Sequence, residues 1–140
     1  MTHSNRLFLF ITCLFLGCKQ SSVLIPTKYR ELPNIEYCDL PKYENREVIL
    51  RSKYEGMMEY WSLEPLDSCR QDLSVDFDLI DYYDSIPENL EKKLNSHAKY
   101  FIVTAVGKYE KGDKQGYGHL GHLKSRFLVK DLLDVKAVQN

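Results

Sequence analysis

Residues 73–94 read LSVDFDLIDYYDSIPENLEKKL, and the fold turns on the change of period inside this stretch. From Leu73 to Leu79 the pattern alternates. Leu73, Val75, Phe77 and Leu79 fall on one side and Ser74, Asp76 and Asp78 on the other, which is the mark of a half-buried strand. Beyond it the period becomes helical. Ser85 and Glu88 match a capping box, Pro87 suits a first turn, and Leu90 and Leu94 lie one turn apart on an apolar face. The helix is expected to end near Asn95–Ser96.

Upstream, Glu47 to Tyr54 (EVILRSKY) reads as a strand, Glu55–Gly56 as a tight turn and Met57 to Leu63 as the returning strand of a hairpin. Downstream, Tyr100 to Val106 (YFIVTAV) is almost wholly apolar and reads as a central strand. A long loop is expected from Gly107 to about Lys124, with five of the seven glycines. Arg126 to Val138 (RFLVKDLLDVKAV) is ambiguous. Phe127, Leu128 and Val129 favour a strand, whereas Val129, Leu132 and Leu133 fit a helix face; the strand is preferred.

The expected order is therefore strand, strand, strand, helix, strand, strand: mainly β with one helix. This order resembles that of the OB-fold, a five-stranded partly open barrel. A small α+β sandwich is the alternative if the last segment is helical. The phrase REVILRSKYEGMMEYWSL (46–63) is similar to the opening hairpin of small bacterial OB-like lipoproteins, a group without a defined activity. The resemblance implies a ligand face on strands two and three with their flanking loops. In this chain that face holds Met58, Tyr60 or Trp61, Asp76 and Asp78, and the loop with Tyr117, His119 and His122. A loop of that length is unusual unless it has a task.

The N-terminus carries the address. Arg6 precedes an apolar run from Leu7 to Leu16, then Gly17 and Cys18, the layout of a secretory signal. The run is shorter than the roughly 20 residues needed to span a bilayer. Phe15-Leu16-Gly17-Cys18 resembles the lipobox of bacterial lipoproteins. That resemblance implies cleavage before Cys18, acylation of Cys18 and attachment to the bacterial cell envelope, durable if more than one chain is added. The expected organisation is a signal peptide over 1–17, a tether over 18–34 containing Pro26 and Pro33, and a domain over 35–140.

Removing residues 1–17 from the 140 leaves 123, enough for one domain with its own core. Arg6 is the one Lys, Arg, Asp or Glu removed, so 18 basic residues face 20 acidic ones, a net charge of −2. No strong field draws nucleic acid. After export Cys13 is gone and Cys18 is acylated, which leaves Cys38 and Cys69 as a pair in an oxidising compartment. Cys38 lies shortly before the first strand of the hairpin and Cys69 shortly after the second. A bridge would close a loop of about 32 residues, contributing up to about 3.5 kcal/mol.

Gly116 to Gly121 spells G-x-G-x-x-G, but neither the strand before it nor a βαβ unit around it fits a dinucleotide site, so no cofactor is assigned. His119 and His122 lack the further ligands a metal needs. The acidic run Asp76, Asp78, Asp81, Asp84 reads as a solvated face. Tyr60, Trp61 and Tyr117 could form an aromatic platform beside a locally basic loop, where Lys108, Lys111, Lys114, Lys124 and Arg126 outnumber Glu110 and Asp113. The expectation is a lipid-anchored, non-enzymatic binding or assembly module whose partner is an envelope protein or glycan, not nucleic acid. The alternative is a small metal-dependent or hydrolytic enzyme built on the loop Tyr109 to Lys124.

Overall fold

The computed structural model describes residues 23–57, 60–71, 73–112, 116–118 and 120–139. The signal, the cut site and Cys18 lie outside the described residues, as do Met58, His119 and the side chain of Tyr60.

Six strands form one sheet: β1 (Asn34–Glu36), β2 (Glu47–Met57), β3 (Tyr60–Glu64), β4 (Val75–Asp78), β5 (Tyr100–Lys111) and β6 (Ser125–Val138). Among the described residues one α-helix, α1 (Glu88–Leu94), lies between β4 and β5. The sheet order β1-β2-β3-β4-β6-β5, with β5 returning to β2, closes β2 to β6 into a five-stranded barrel. Its pairs are antiparallel except β4–β6, which is parallel. This is the OB-like barrel expected from the element order, and the C-terminal segment is a strand.

The helical look of that segment has a local cause. Across β5, Val106 pairs with Asp131 but Gly107 with Val129; Thr104 pairs with Asp134 but Ala105 with Leu132. Lys130 and Leu133 are thus extra residues at two bulges. Each bulge resets the alternation, so the inward residues after Val129 are Leu132 and Val135, spaced by three. The bulges also bend the long strand, as barrel closure requires. Opposite them Gly107 is indispensable, because a Cβ there would overlap the Leu128 carbonyl and stand 2.6 Å from the Phe127 ring.

Four expectations are corrected. Glu55 and Gly56 are not a turn; β2 runs on to Met57, which pairs with Tyr60. Gly56 serves a close approach instead, since a Cβ there would overlap the Tyr54 phenol. The strand expected to end at Val106 continues to Lys111, because Tyr109 is buried in the core. The long loop shortens accordingly to residues 112–124. The capping box does not form: Pro87 occupies the N-cap position without a side-chain hydrogen bond, and Ser85 ends a short turn, Tyr83–Ser85. Leu90 is buried and Leu94 packs on the core as the periodicity requires.

Residues 18–34 were expected as a tether, yet from Ile25 onward the chain packs on the barrel. Tyr29 is buried with Ile49 of β2 and Val106 of β5, and Ile25, Leu32 and Leu133 of β6 surround them. Asp131 accepts hydrogen bonds from Tyr82 Oη (2.8 Å), Tyr29 Oη (3.0 Å) and Lys28 Nζ (3.1 Å). Burial opposes the Asp131 charge, but these donors outweigh it and hold the carboxyl below its usual range. Pro33 then accepts from Ile49 N–H, leading the chain into β1, which lies parallel to β2. We call residues 25–33 the strap. Cys38, in the turn Tyr37–Tyr43, is bridged to Cys69 beyond β3 with their Cα atoms 5.7 Å apart, within the normal span.

Candidate binding face

The outer surface of β3, β4, β6 and β5 carries a row of polar side chains set by register. Ser62 pairs with Asp76, Asp76 with Arg126, and Arg126 with Glu110. Arg126 is the hub. Its Nε donates to Glu110 Oε2 at 2.9 Å and its Nη1 to Asp78 Oδ2 at 3.1 Å. Asp78 also accepts from Ile80 N–H at 3.1 Å. The acidic run divides: Asp81 and Asp84 are exposed as expected, but Asp78 is buried under Arg126 and Asp76 is half-buried beside it.

The β5–β6 connection explains that burial. The described glycines of the G-x-G-x-x-G stretch, Gly116, Gly118 and Gly121, all have positive φ, the conformation glycine adopts without penalty. They shape a miniature hairpin in which Tyr117 and Leu123 exchange both backbone hydrogen bonds (2.8 and 3.1 Å). The hairpin lies back on the row. The Tyr117 ring stands 5.0 Å from the Arg126 guanidinium, a cation–π distance, and Gly118 lies against the Asp76 carboxylate. The glycines thus build a shaped cover rather than a phosphate cradle.

Burial pushes the Asp76 carboxyl from 3.8 up to about 6, and the nearby Asp78 charge adds to this; the Gly118 N–H and Arg126 pull the other way. A carboxyl raised on folding stabilises below its unfolded value and loses that contribution as pH rises through the folded one. Stability should therefore fall between about pH 4 and 6 on account of Asp76. Asp76→Asn keeps the shape of the side chain and removes the charge. It is expected to raise stability at pH 7, on the order of 1 kcal/mol given the partial exposure, and to flatten that slope. Urea titrations at pH 4.5 and 7 check this; an Asp76→Asn protein weaker at pH 7 contradicts it.

Beside the row lies an open cleft of about 540 Å³, walled by Ser62, Glu64, Arg70, Gln71, Ser74 and Leu123. Its lining mixes hydroxyl, amide, carboxylate and guanidinium groups with an apolar edge, which suits a ligand held by several hydrogen bonds. Among the described residues, no group of three or more His, Cys, Asp and Glu side chains is placed to hold a metal ion.

The expected aromatic residues separate. Trp61 packs against the core and stacks on Tyr83 at 6.4 Å, while Tyr117 covers Arg126 on the outer face. Tyr60 pairs with Met57 at the end of the β2–β3 hairpin. His122 is exposed on the β5–β6 connection, and His119 lies outside the described residues. Sequence reasoning missed Arg126, Glu110 and the cleft residues Arg70 and Gln71. In the sequence Glu110 is a loop charge and Arg126 both a loop charge and the first residue of the last expected strand, and their meeting with the aspartates depends on cross-strand register. The signal available was two acidic residues two apart on one strand face, which need a cation if that face is covered.

The class defined by these features is a small OB-like barrel with a hairpin-covered polar face. Comparison of the chain with protein-family models, curated proteins and solved structures finds no match.

Proposed function

We propose that this chain is an exported, lipid-anchored envelope protein that binds a partner without catalysis, through the face of β3, β4 and the β5–β6 hairpin. The observation that carries the reading is the folding of that hairpin onto Asp76 and Arg126 beside the cleft. Glycine geometry and a cation–π contact are invested in an exposed connection that the barrel does not need for closure. Arg126 is held by two carboxylates, so the face offers directed hydrogen bonds more than net charge. An envelope glycan or a peptide segment fits such a lining. Anchoring rests on the Phe15–Cys18 sequence, and the Cys38–Cys69 bridge is consistent with export.

Two assays test the two halves. Labelled fatty acid should enter the wild-type chain and not Cys18→Ser, which should also leave the membrane fraction; label retained in Cys18→Ser overturns anchoring at that residue. Partner capture from solubilised envelopes should drop at least about tenfold for Tyr117→Ala, a loss of about 1.4 kcal/mol. Capture undiminished by Tyr117→Ala would remove the hairpin from the binding face.

A further inference from the structure

The strap changes what an N-terminal lipid would do. Resting on the anchored reading above, we propose that the strap converts the lipid into an orienting anchor. It holds the β5 side of the barrel against the membrane surface and turns the β3–β4 face away from it.

The argument begins with chain length. Were residues 18–34 a free tether, 16 residue steps would separate Cys18 from Asn34, a reach of up to about 54 Å. A barrel on such a leash tumbles over the membrane. The strap fixes the chain to the barrel from Ile25, which leaves seven residue steps after Cys18. Those reach at most about 24 Å fully extended. The attachment point is therefore no farther from the lipid surface than the width of a small barrel.

Topology then decides which face is near. The strap covers Val106 of β5 and the outward residues of its two neighbours, Ile49 of β2 and Leu133 of β6. In the closed order β2-β3-β4-β6-β5, the strands that do not neighbour β5 are β3 and β4, across the barrel. These carry Ser62, Asp76 and Asp78 of the polar row and line the cleft, while Arg126 and Glu110 lie toward the ends of β6 and β5, away from Leu133 and Val106 under the strap. A short leash at β5 therefore places the lipid surface on one side and the proposed binding face on the other. Leu24 agrees with this. It is a large apolar side chain, 89% exposed, immediately before the docked strap. Such a residue is costly in water and at home at a lipid interface.

The strap's hold is specific. Tyr29 combines a buried ring with a hydroxyl bonded to Asp131, and Asp131 is shared with Tyr82, so the strap and the segment after β4 are pinned to one carboxylate of β6.

The single tryptophan makes the test direct, because Trp61 sits on β3, a strand that does not neighbour β5. The acylated full-length mature protein is reconstituted in vesicles containing a dansyl-headgroup lipid, and energy transfer from tryptophan to dansyl is measured. The wild type is compared with Trp61→Phe/Lys130→Trp, whose indole lies on β6 beside the strap. Transfer from position 130 should exceed that from Trp61 severalfold. Adding Tyr29→Ala should bring the two toward equality, since the leash then lengthens; Leu32→Ser is the second release variant should Tyr29→Ala unfold the barrel. Equal transfer in the docked protein, or a contrast that survives release of the strap in a folded variant, overturns the proposal. Protein that does not sediment with the vesicles overturns the anchored reading itself, a result separable from failure of the orientation.

Discussion

Phe77→Ala is expected to lower the stability of the barrel by about 3–5 kcal/mol, a large share of the 5–15 kcal/mol typical of a domain. Phe77 is fully buried. Its ring meets Tyr54 at 5.3 Å, and its backbone faces Phe127 across the parallel β4–β6 pair. Truncation therefore loses the transfer energy of a large aromatic ring and opens a cavity whose walls come from three strands. These walls cannot collapse easily, because β4 is only four residues long and is paired on both edges. In urea titration the midpoint should fall with little change in slope. Phe77→Leu, which fills most of the space, should lose less than half as much. A Phe77→Ala cost below about 1 kcal/mol would contradict the packing described.

The second large effect is loss of the Cys38–Cys69 bridge. The sequence separation of 31 gives a chain-entropy contribution of about 3.5 kcal/mol, and native bridges in small exported domains are worth about 2–5 kcal/mol. Cys38→Ser with Cys69→Ser should thus lower the melting temperature by roughly 10–15 °C. The consequence extends to the binding face, since Cys69 and Tyr37 line the cleft. The bridge ties one wall of that cleft to the turn Tyr37–Tyr43, and its removal should weaken partner capture even in protein that remains folded. Melting of the oxidised protein with and without reductant checks the first point. Two titratable thiols at these positions in unreduced protein would rule the bridge out.

Much of the barrel was legible because inward residues alternate. Leu73, Val75, Phe77 and Leu79 marked β4, and the apolar run Tyr100–Val106 marked a strand flanked on both sides. What escaped was set by partners distant in sequence. The strand β1 has three residues and pairs in parallel with β2, so no hairpin announces it. The bulges of β6 disguised a strand as a helix by spacing its inward residues by three. The strap has no period of its own. Its trace was on the barrel, in Ile49, an apolar residue on the wrong face of EVILRSKY, which a half-exposed strand leaves uncovered only at a cost.

The candidate site was half legible for a similar reason. Alternation set Asp76 and Asp78 together on the outer face, and the glycine-rich connection pointed to the right loop. That Arg126 joins them follows only from the parallel register of β4 with β6. That the loop covers them follows from three glycines with positive φ, which a sequence shows as glycines and not as a direction of folding.

The central claim is a barrel anchored on one side that binds on the other. It is tested most directly by a photoreactive amino acid placed at Tyr117 or at Lys130 in the envelope of living cells. The account predicts a specific adduct from position 117 that competes with added partner, and lipid adducts without that partner from position 130. The same adducts from both positions, or partner capture from 130 and lipid from 117, would contradict it.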